Sequence, residues 1–321
     1  MMKSITGSGK IILLAVALVF LVGGPVFGDE RFEEKFTRTE PLAADGRVSL
    51  SNIAGDIEIG VWKENQVKID AVKISRAATL EKAKENAAKV TIEVRQEAGR
   101  LIIETKYPKK GGFWGDDSIN VSVDYKLLVP ARAAVEVKSV SGDVDLKALG
   151  GRARVESVSG DIEVLGAAGL TANLVSGDAD LQNITGDVEI KTVSGDLRIN
   201  GVKGSVEAES VSGDVKILEN VEAKKVSAKS ISGDITYEGF IYEGGRYDFR
   251  SHSGDAVISI PAGSSFDFET KTFSGAIDSD FEIQVVGKIS QRELKGTVGK
   301  GGAVIRASSF SGNIELKKSG K

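Results

Sequence analysis

The chain has 321 residues, with 42 basic and 46 acidic side chains, a formal net charge of −4, no cysteine and one histidine. Near-balanced charge with no Lys/Arg block argues against a nucleic-acid partner, which needs a concentrated positive face to displace counterions from phosphates. The missing cysteines rule out thiol catalysis and disulfide cross-links, and a lone histidine rules out a histidine-rich metal centre.

Residues 1–28 have the pattern of an export signal: Lys3 and Lys10, then the apolar run Ile11 to Val22, then the small-residue positions of Val26-Phe27-Gly28. The run is shorter than the roughly 20 apolar residues that span a bilayer. An uncleaved anchor reaching Phe27 is the competing reading. Cleavage would start the mature chain near Asp29 with no transmembrane segment after it, placing the protein in the periplasm, in the cell envelope or outside the cell.

Residues 29–130 are expected to form a strand-rich N-terminal capping region. "RVSLSNIAGDIEIGVW" carries a turn at Gly55-Asp56 followed by alternating Ile57, Ile59 and Val61. "NQVKIDAVKIS", "VTIEVRQEAGRLIIETKY" and "INVSVDYKLLVP" alternate in the same way, the period-2 signature of strands with one buried face. Between them "SRAATLEKAKENAAKV" is the one helix, with Leu80, Ala83, Ala87 and Val90 on one side. "YPKKGGFWGDDS" interrupts the strand pattern with Phe113 and Trp114 in a glycine-rich connection. An exposed aromatic pair there is a candidate partner contact, and the bland alternative folds Trp114 back over the protein.

From residue 131 to 321 the chain repeats. Gly142, Gly160, Gly177, Gly195 and Gly213 are 17 or 18 residues apart, Gly233, Gly254 and Gly275 follow at 20 or 21, and Gly312 ends the series; each is preceded by serine. Weaker copies at Gly151, Gly169, Gly186 and Gly204 divide the units in half. Fixed periods of this size are the mark of a solenoid. The fold expected is all-β, a β-solenoid of 18–21-residue coils with two short strands each, capped N-terminally by the helix-bearing region.

Stacking turns sequence columns into ladders. Val140, Val158, Val175, Val193, Val211, Ile231, His252, Phe273 and Phe310 form one column, expected to be core at a corner, with a structural role for His252. One residue earlier, Ser139, Ser157, Leu174, Thr192, Ser210, Ser230, Ser251, Thr272 and Ser309 form a mostly hydroxyl-bearing column where space is tight. The longer C-terminal coils, with Phe249, Phe273 and Phe310, are expected to widen the core, and "EGFIYEGGRYDF", bracketed by Tyr237, Phe240, Tyr242, Tyr247 and Phe249, to form a lateral flap in which Tyr242 is a possible partner contact.

"SLSNIAGDIEIGVW", "VSVDYKLLVPARAAVEVKSVSGDVDL" and the recurring "VSGD" together resemble the bacterial toast-rack family of β-strand-repeat proteins, a domain of unknown function whose members carry an adhesin label. The resemblance implies a β-solenoid with envelope or surface association, sometimes alongside envelope-stress systems, and brings no catalytic residues.

The chemistry of the repeat has rival readings. Asp143, Asp161, Asp178, Asp196, Asp214, Asp234 and Asp255 follow the glycines and would stack into a carboxylate ladder able to attract divalent ions. Calcium solenoids, however, use G-G-x-G-x-D nonapeptides, and here the residue two before the glycine is almost always apolar. Turn capping is therefore the preferred role, and no metal or cofactor is assigned. A β-helix carbohydrate-active enzyme would need an irregular carboxylate cluster on one face, and the acidic residues instead form a lattice. The reading adopted is an exported, non-enzymatic interaction module with an envelope or surface partner, protein or glycan; the alternatives are an accessory or sensory protein of envelope stress and the β-helix enzyme.

Overall fold

A computed structural model of the chain describes residues 30–108, 119–219, 222–285 and 292–320. The segment read as an export signal and the Phe113-Trp114 pair lie outside these residues. Each repeat unit makes one coil of two strands: Ala134–Ser141 runs along one face, Gly142-Asp143 turns the chain, Val144–Lys147 runs along the other, and Arg152–Ser159 begins the next coil. Successive coils pair in parallel and in register, Val137 beside Val155 and Leu146 beside Val164. The product is two facing sheets of 13 and 14 strands.

Alternation fills the space between the sheets. Val135, Val137, Val144 and Leu146 of one coil, and their counterparts in the next, are buried, and one continuous core extends from Leu42 to Leu316. Toward the C-terminal end the core becomes aromatic: Tyr237, Tyr247, Phe249, Phe266 and Phe268 are fully buried. The widening expected there holds for Phe249, whereas Phe273 and Phe310 point outward.

Chain order and spatial order diverge at both ends of the rod. The last coil, Ala303–Ser311 and Ile314–Ser319, is inserted between the coil Arg246–Ser253/Ala256–Pro261 and the coil Phe266–Ser274/Ile277–Ser279. At the other end, Arg47–Ala54 and Ile57–Trp62 stack directly on Ala134–Ser141 and Val144–Lys147, and the intervening chain supplies the terminal layer. That layer turns antiparallel, with Glu30–Pro41 on Gln66–Ala77 and Thr91–Glu97 on Arg100–Lys106. Its outer strands carry charged side chains such as Glu93, Arg95 and Glu97, which blunt an otherwise open edge.

The helix Leu80–Lys89 starts at Thr79, whose hydroxyl accepts the Lys82 N–H at 3.2 Å, and it buries Ala83, Asn86 and Ala87. It packs against Gln66–Ala77 and Glu30–Pro41. Lys73, buried on that strand, donates to the Ala87 carbonyl at 3.0 Å and to Glu34 at 3.2 Å, placing a cation at the helix C-terminus where the backbone dipole favours it.

Candidate functional site

The corner built by Ser-Gly-Asp is a piece of architecture. A Cβ added to any of Gly142, Gly160, Gly177, Gly195, Gly213, Gly233, Gly254, Gly275 or Gly312 would meet the carbonyl oxygen of the glycine in the adjacent coil at 2.0–2.3 Å. Glycine is required there because backbone rests on backbone. The aspartates cap the next coil: Asp178 Oδ1 accepts the Asp196 N–H at 2.8 Å, Asp196 the Asp214 N–H at 2.8 Å, and the same bond recurs from Asp56 and Asp143 through to Asp255, which accepts from Asn313. Each carboxylate thus spends one oxygen on a turn amide, the capping role expected of it. For Asp214, burial pushes the carboxyl up, but the Asp234 N–H and Lys216 outweigh it and hold it below the usual range.

Just inside the corner, the hydroxyl column is buried as expected. Ser230, Ser251 and Ser309 donate to the carbonyls of Gly213, Gly233 and Gly254 at 3.0–3.2 Å. In the first coil Asn52 takes this position, donating to Val123 O at 2.8 Å and accepting from the Thr105 hydroxyl at 2.9 Å.

The neighbouring column departs from the expectation. Val140, Val158, Val175, Val193, Val211, Ile231, Phe273 and Phe310, read from the sequence as core, are 43–62% exposed, and His252 is exposed with them. The reason is parity: Val135, Val137 and Ser139 point inward, so Val140 must point outward. Ile53 joins at one end, and the spatial order runs Ile53, Val140, Val158, Val175, Val193, Val211, Ile231, His252, Phe310, Phe273. Stacking reinforces its far end, where the His252 and Phe310 rings lie 4.9 Å apart and Phe310 and Phe273 4.8 Å apart, with nearly parallel ring planes in each case.

Ten outward side chains, nine of them apolar and the tenth His252, form at the roughly 4.8 Å strand spacing a stripe about 43 Å long. Scattered apolar side chains are normal on a surface, and a contiguous stripe of them is the candidate contact site. Two strand positions earlier runs a parallel column with five basic side chains, Lys138, Lys191, Lys229, Arg250 and Lys271, and two acidic ones, Glu156 and Glu209. A shallow groove lies between column and stripe, with one section of about 630 Å³ from Asn173 to His252 and another of about 350 Å³ from Lys138 to Val175. On its other flank the stripe is bordered by the aspartate ladder. Among the described residues no three His, Cys, Asp or Glu side chains converge as a metal site would require.

The aromatic segment near Tyr242 splits in two. Tyr237, Tyr247 and Phe249 are core residues with ring centroids 5.3–5.9 Å apart, so they are no part of a flap. Phe240 is exposed and Tyr242 half-buried. Tyr247 anchors this loop: its hydroxyl donates to Ala223 O and accepts the Tyr242 N–H, both at 2.9 Å, and burial pushes its pKa up to about 12, keeping it a donor. Tyr247→Phe orphans both backbone groups and is expected to cost about 1–3 kcal/mol. Chemical denaturation measures that loss, and hydrogen exchange should localise it to the loop 239–245.

The Toastrack DUF4097 family model matches residues 47–317. Among solved structures, the chain is similar to a protein of Parabacteroides distasonis provisionally named an adhesin, at 10% identity over 88% of this chain and 97% of that one, with a TM-score of 0.45. A Bacteroides fragilis protein with the same provisional name matches at 13% identity over 88% and 96%, with a TM-score of 0.43. A second Parabacteroides distasonis protein, provisionally named for lipid binding, matches at 12% over 88% and 97%, with a TM-score of 0.35. No curated protein matches the chain significantly.

Proposed function

The chain belongs to the Toastrack DUF4097 family, and from that premise we propose that it works as an exported, non-enzymatic, adhesin-like interaction module of the cell envelope. The exposed apolar stripe carries this reading. Valine, isoleucine and phenylalanine on the outer face of a sheet contribute nothing to the core, and their hydration makes the bare surface unfavourable. A rod that presents one such line along its length is built to be covered. The acidic residues support a non-catalytic role, because the turn carboxylates are tied individually to neighbouring amides. No helix among the described residues is long and apolar enough to cross a membrane.

Phe113, Trp114 and Tyr242 are proposed as subsidiary contacts, the first two from the sequence pattern and Tyr242 for its partial exposure beside Phe240. The test is retention of envelope-fraction material on immobilised protein. Val193→Lys with Val211→Lys is expected to lower retention at least tenfold while the far-UV spectrum and melt stay as in the wild type. Wild-type retention by that variant overturns the reading, and unchanged retention by Trp114→Ala removes the loop from it.

A further inference from the structure

We propose that the partner covering the apolar stripe is a second copy of this chain, laid alongside with the two rods parallel and stripe on stripe. The inference rests on the reading of the stripe as an interaction surface and names its occupant. Three observations carry it.

The first is charge. The stripe lies between a column with five basic against two acidic side chains and a ladder that carries aspartate from Asp56 to Asp255. A twofold rotation about the stripe exchanges its flanks, so Lys138, Lys191, Lys229 and Arg250 of each copy face the other's Asp143, Asp196, Asp234 and Asp255, four attractive rungs against the two at which Glu156 and Glu209 face Asp161 and Asp214. The surface is self-complementary in the sense that an isologous dimer requires. The ion pairs that Lys138, Lys191 and Arg250 make within the chain join partly exposed side chains, so reorienting them costs little. An anionic lipid surface meets the aspartate flank as a repulsive edge.

The second is period. A second solenoid repeats at the same ~4.8 Å as the first, so a contact that fits at one rung fits at all ten, whereas a partner with another spacing falls out of step within a few rungs. The third is area. A strip about 43 Å long and two outward columns wide covers on the order of 600 Å² per copy before the flanking aspartates are counted. Stable interfaces bury about 800 Å² per partner. Growth end to end is opposed by the charged antiparallel strands at the N-terminal end, leaving the long side as the face for self-association.

The test is sedimentation of the purified chain from low to high micromolar concentration, with oxidative cross-linking of single-cysteine variants; a cysteine-free chain makes the second measurement clean. A dimer is expected, weakened at least 100-fold by Val193→Lys with Val211→Lys and unaffected by Leu165→Lys, an exposed apolar residue on the other sheet. Val158→Cys alone should form a disulfide-linked dimer, because parallel rods bring each rung to its own copy. A monomer at high micromolar concentration, or a dimer indifferent to the valine changes, overturns the proposal. Cross-linking only when Val158→Cys is mixed with His252→Cys means antiparallel rods and overturns the arrangement. A monomer whose valine variants still lose envelope retention refutes the homotypic partner and leaves the interaction reading standing, and a monomer that binds phosphatidylglycerol vesicles through the stripe refutes it in favour of lipid.

Discussion

Removal of residues 303–321 should collapse the C-terminal third of the rod. In a repeat protein, stability is approximately a sum of coil and nearest-neighbour terms. A coil at the end contributes one interface, and an interior coil contributes two. The last coil in sequence is interior: Ala303–Ser311 pairs with Arg246–Ser253 on one side and Phe266–Ser274 on the other, and Ile314–Ser319 bridges Ala256–Pro261 and Ile277–Ser279. Its deletion strips partners from both and removes Ile305, Ile314 and Leu316 from the core. Those three side chains alone represent about 5–9 kcal/mol of burial, comparable to the total stability of a typical domain. The expected result is proteolysis entering from residue 262 onward and a melt lowered by more than about 10 °C. Deleting only Gly320 and Lys321 should leave both unchanged, and a native-like melt in the longer truncation would show that the outer coil re-pairs across the gap.

That intercalation is not encoded in the local pattern of the sequence. The period of Ser-Gly-Asp predicts coils because every coil must turn in the same way, and the local chemistry of the turn suffices to show it. Which coil lies beside which depends on pairing between distant strands, and any two copies share the same register signals. One trace was visible: Gly275 and Gly312 are 37 residues apart, about two units, with a single coil to show for it.

At the stripe, hydrophobicity and parity give opposite answers. Hydrophobicity alone puts Val140 in the core, whereas parity from Val135 and Val137 puts Ser139 inside and Val140 outside. Farther along the column a buried serine hydroxyl reaches a glycine carbonyl of the adjacent coil, as Ser230 does at Gly213, whereas the Ser139 and Ser157 hydroxyls are buried with no hydrogen-bond partner among the described residues. The outward column is therefore legible in the sequence from alternation alone. Tyr237, Tyr247 and Phe249 were harder to place, since an aromatic cluster among glycines looks alike whether it packs inward or stands as a flap. Only the longer coils, which make room between the sheets, decide for the core.

Gly195→Ala should be among the most damaging single-methyl changes in the chain. Gly195 has φ of 136°, a region that costs an L-residue about 1–3 kcal/mol, and the new Cβ would stand 2.0 Å from the Gly177 carbonyl oxygen and 2.6 Å from its carbon. Neither backbone can yield alone: the Gly177 N–H donates to Ser194 O and the Gly195 N–H to Ser212 O, each at 3.0 Å. Relief requires parting two coils, and every coil beyond them shares the same ladder of contacts. A total loss of about 3–5 kcal/mol is expected, read as a melt lowered by roughly 10 °C. Gly263→Ala, where φ is not positive and a Cβ meets nothing within 4 Å, should be neutral. Asp196→Ala, which removes only the cap on the Asp214 N–H, should cost about 1 kcal/mol. If Gly195→Ala costs no more than Asp196→Ala, the stack is looser than the glycine ladder implies. The outcome bears on the proposed function as well, because the rung spacing these glycines hold is the spacing at which Val175, Val193 and Val211 present their methyl groups on the outer face, where the proposed second copy would meet them.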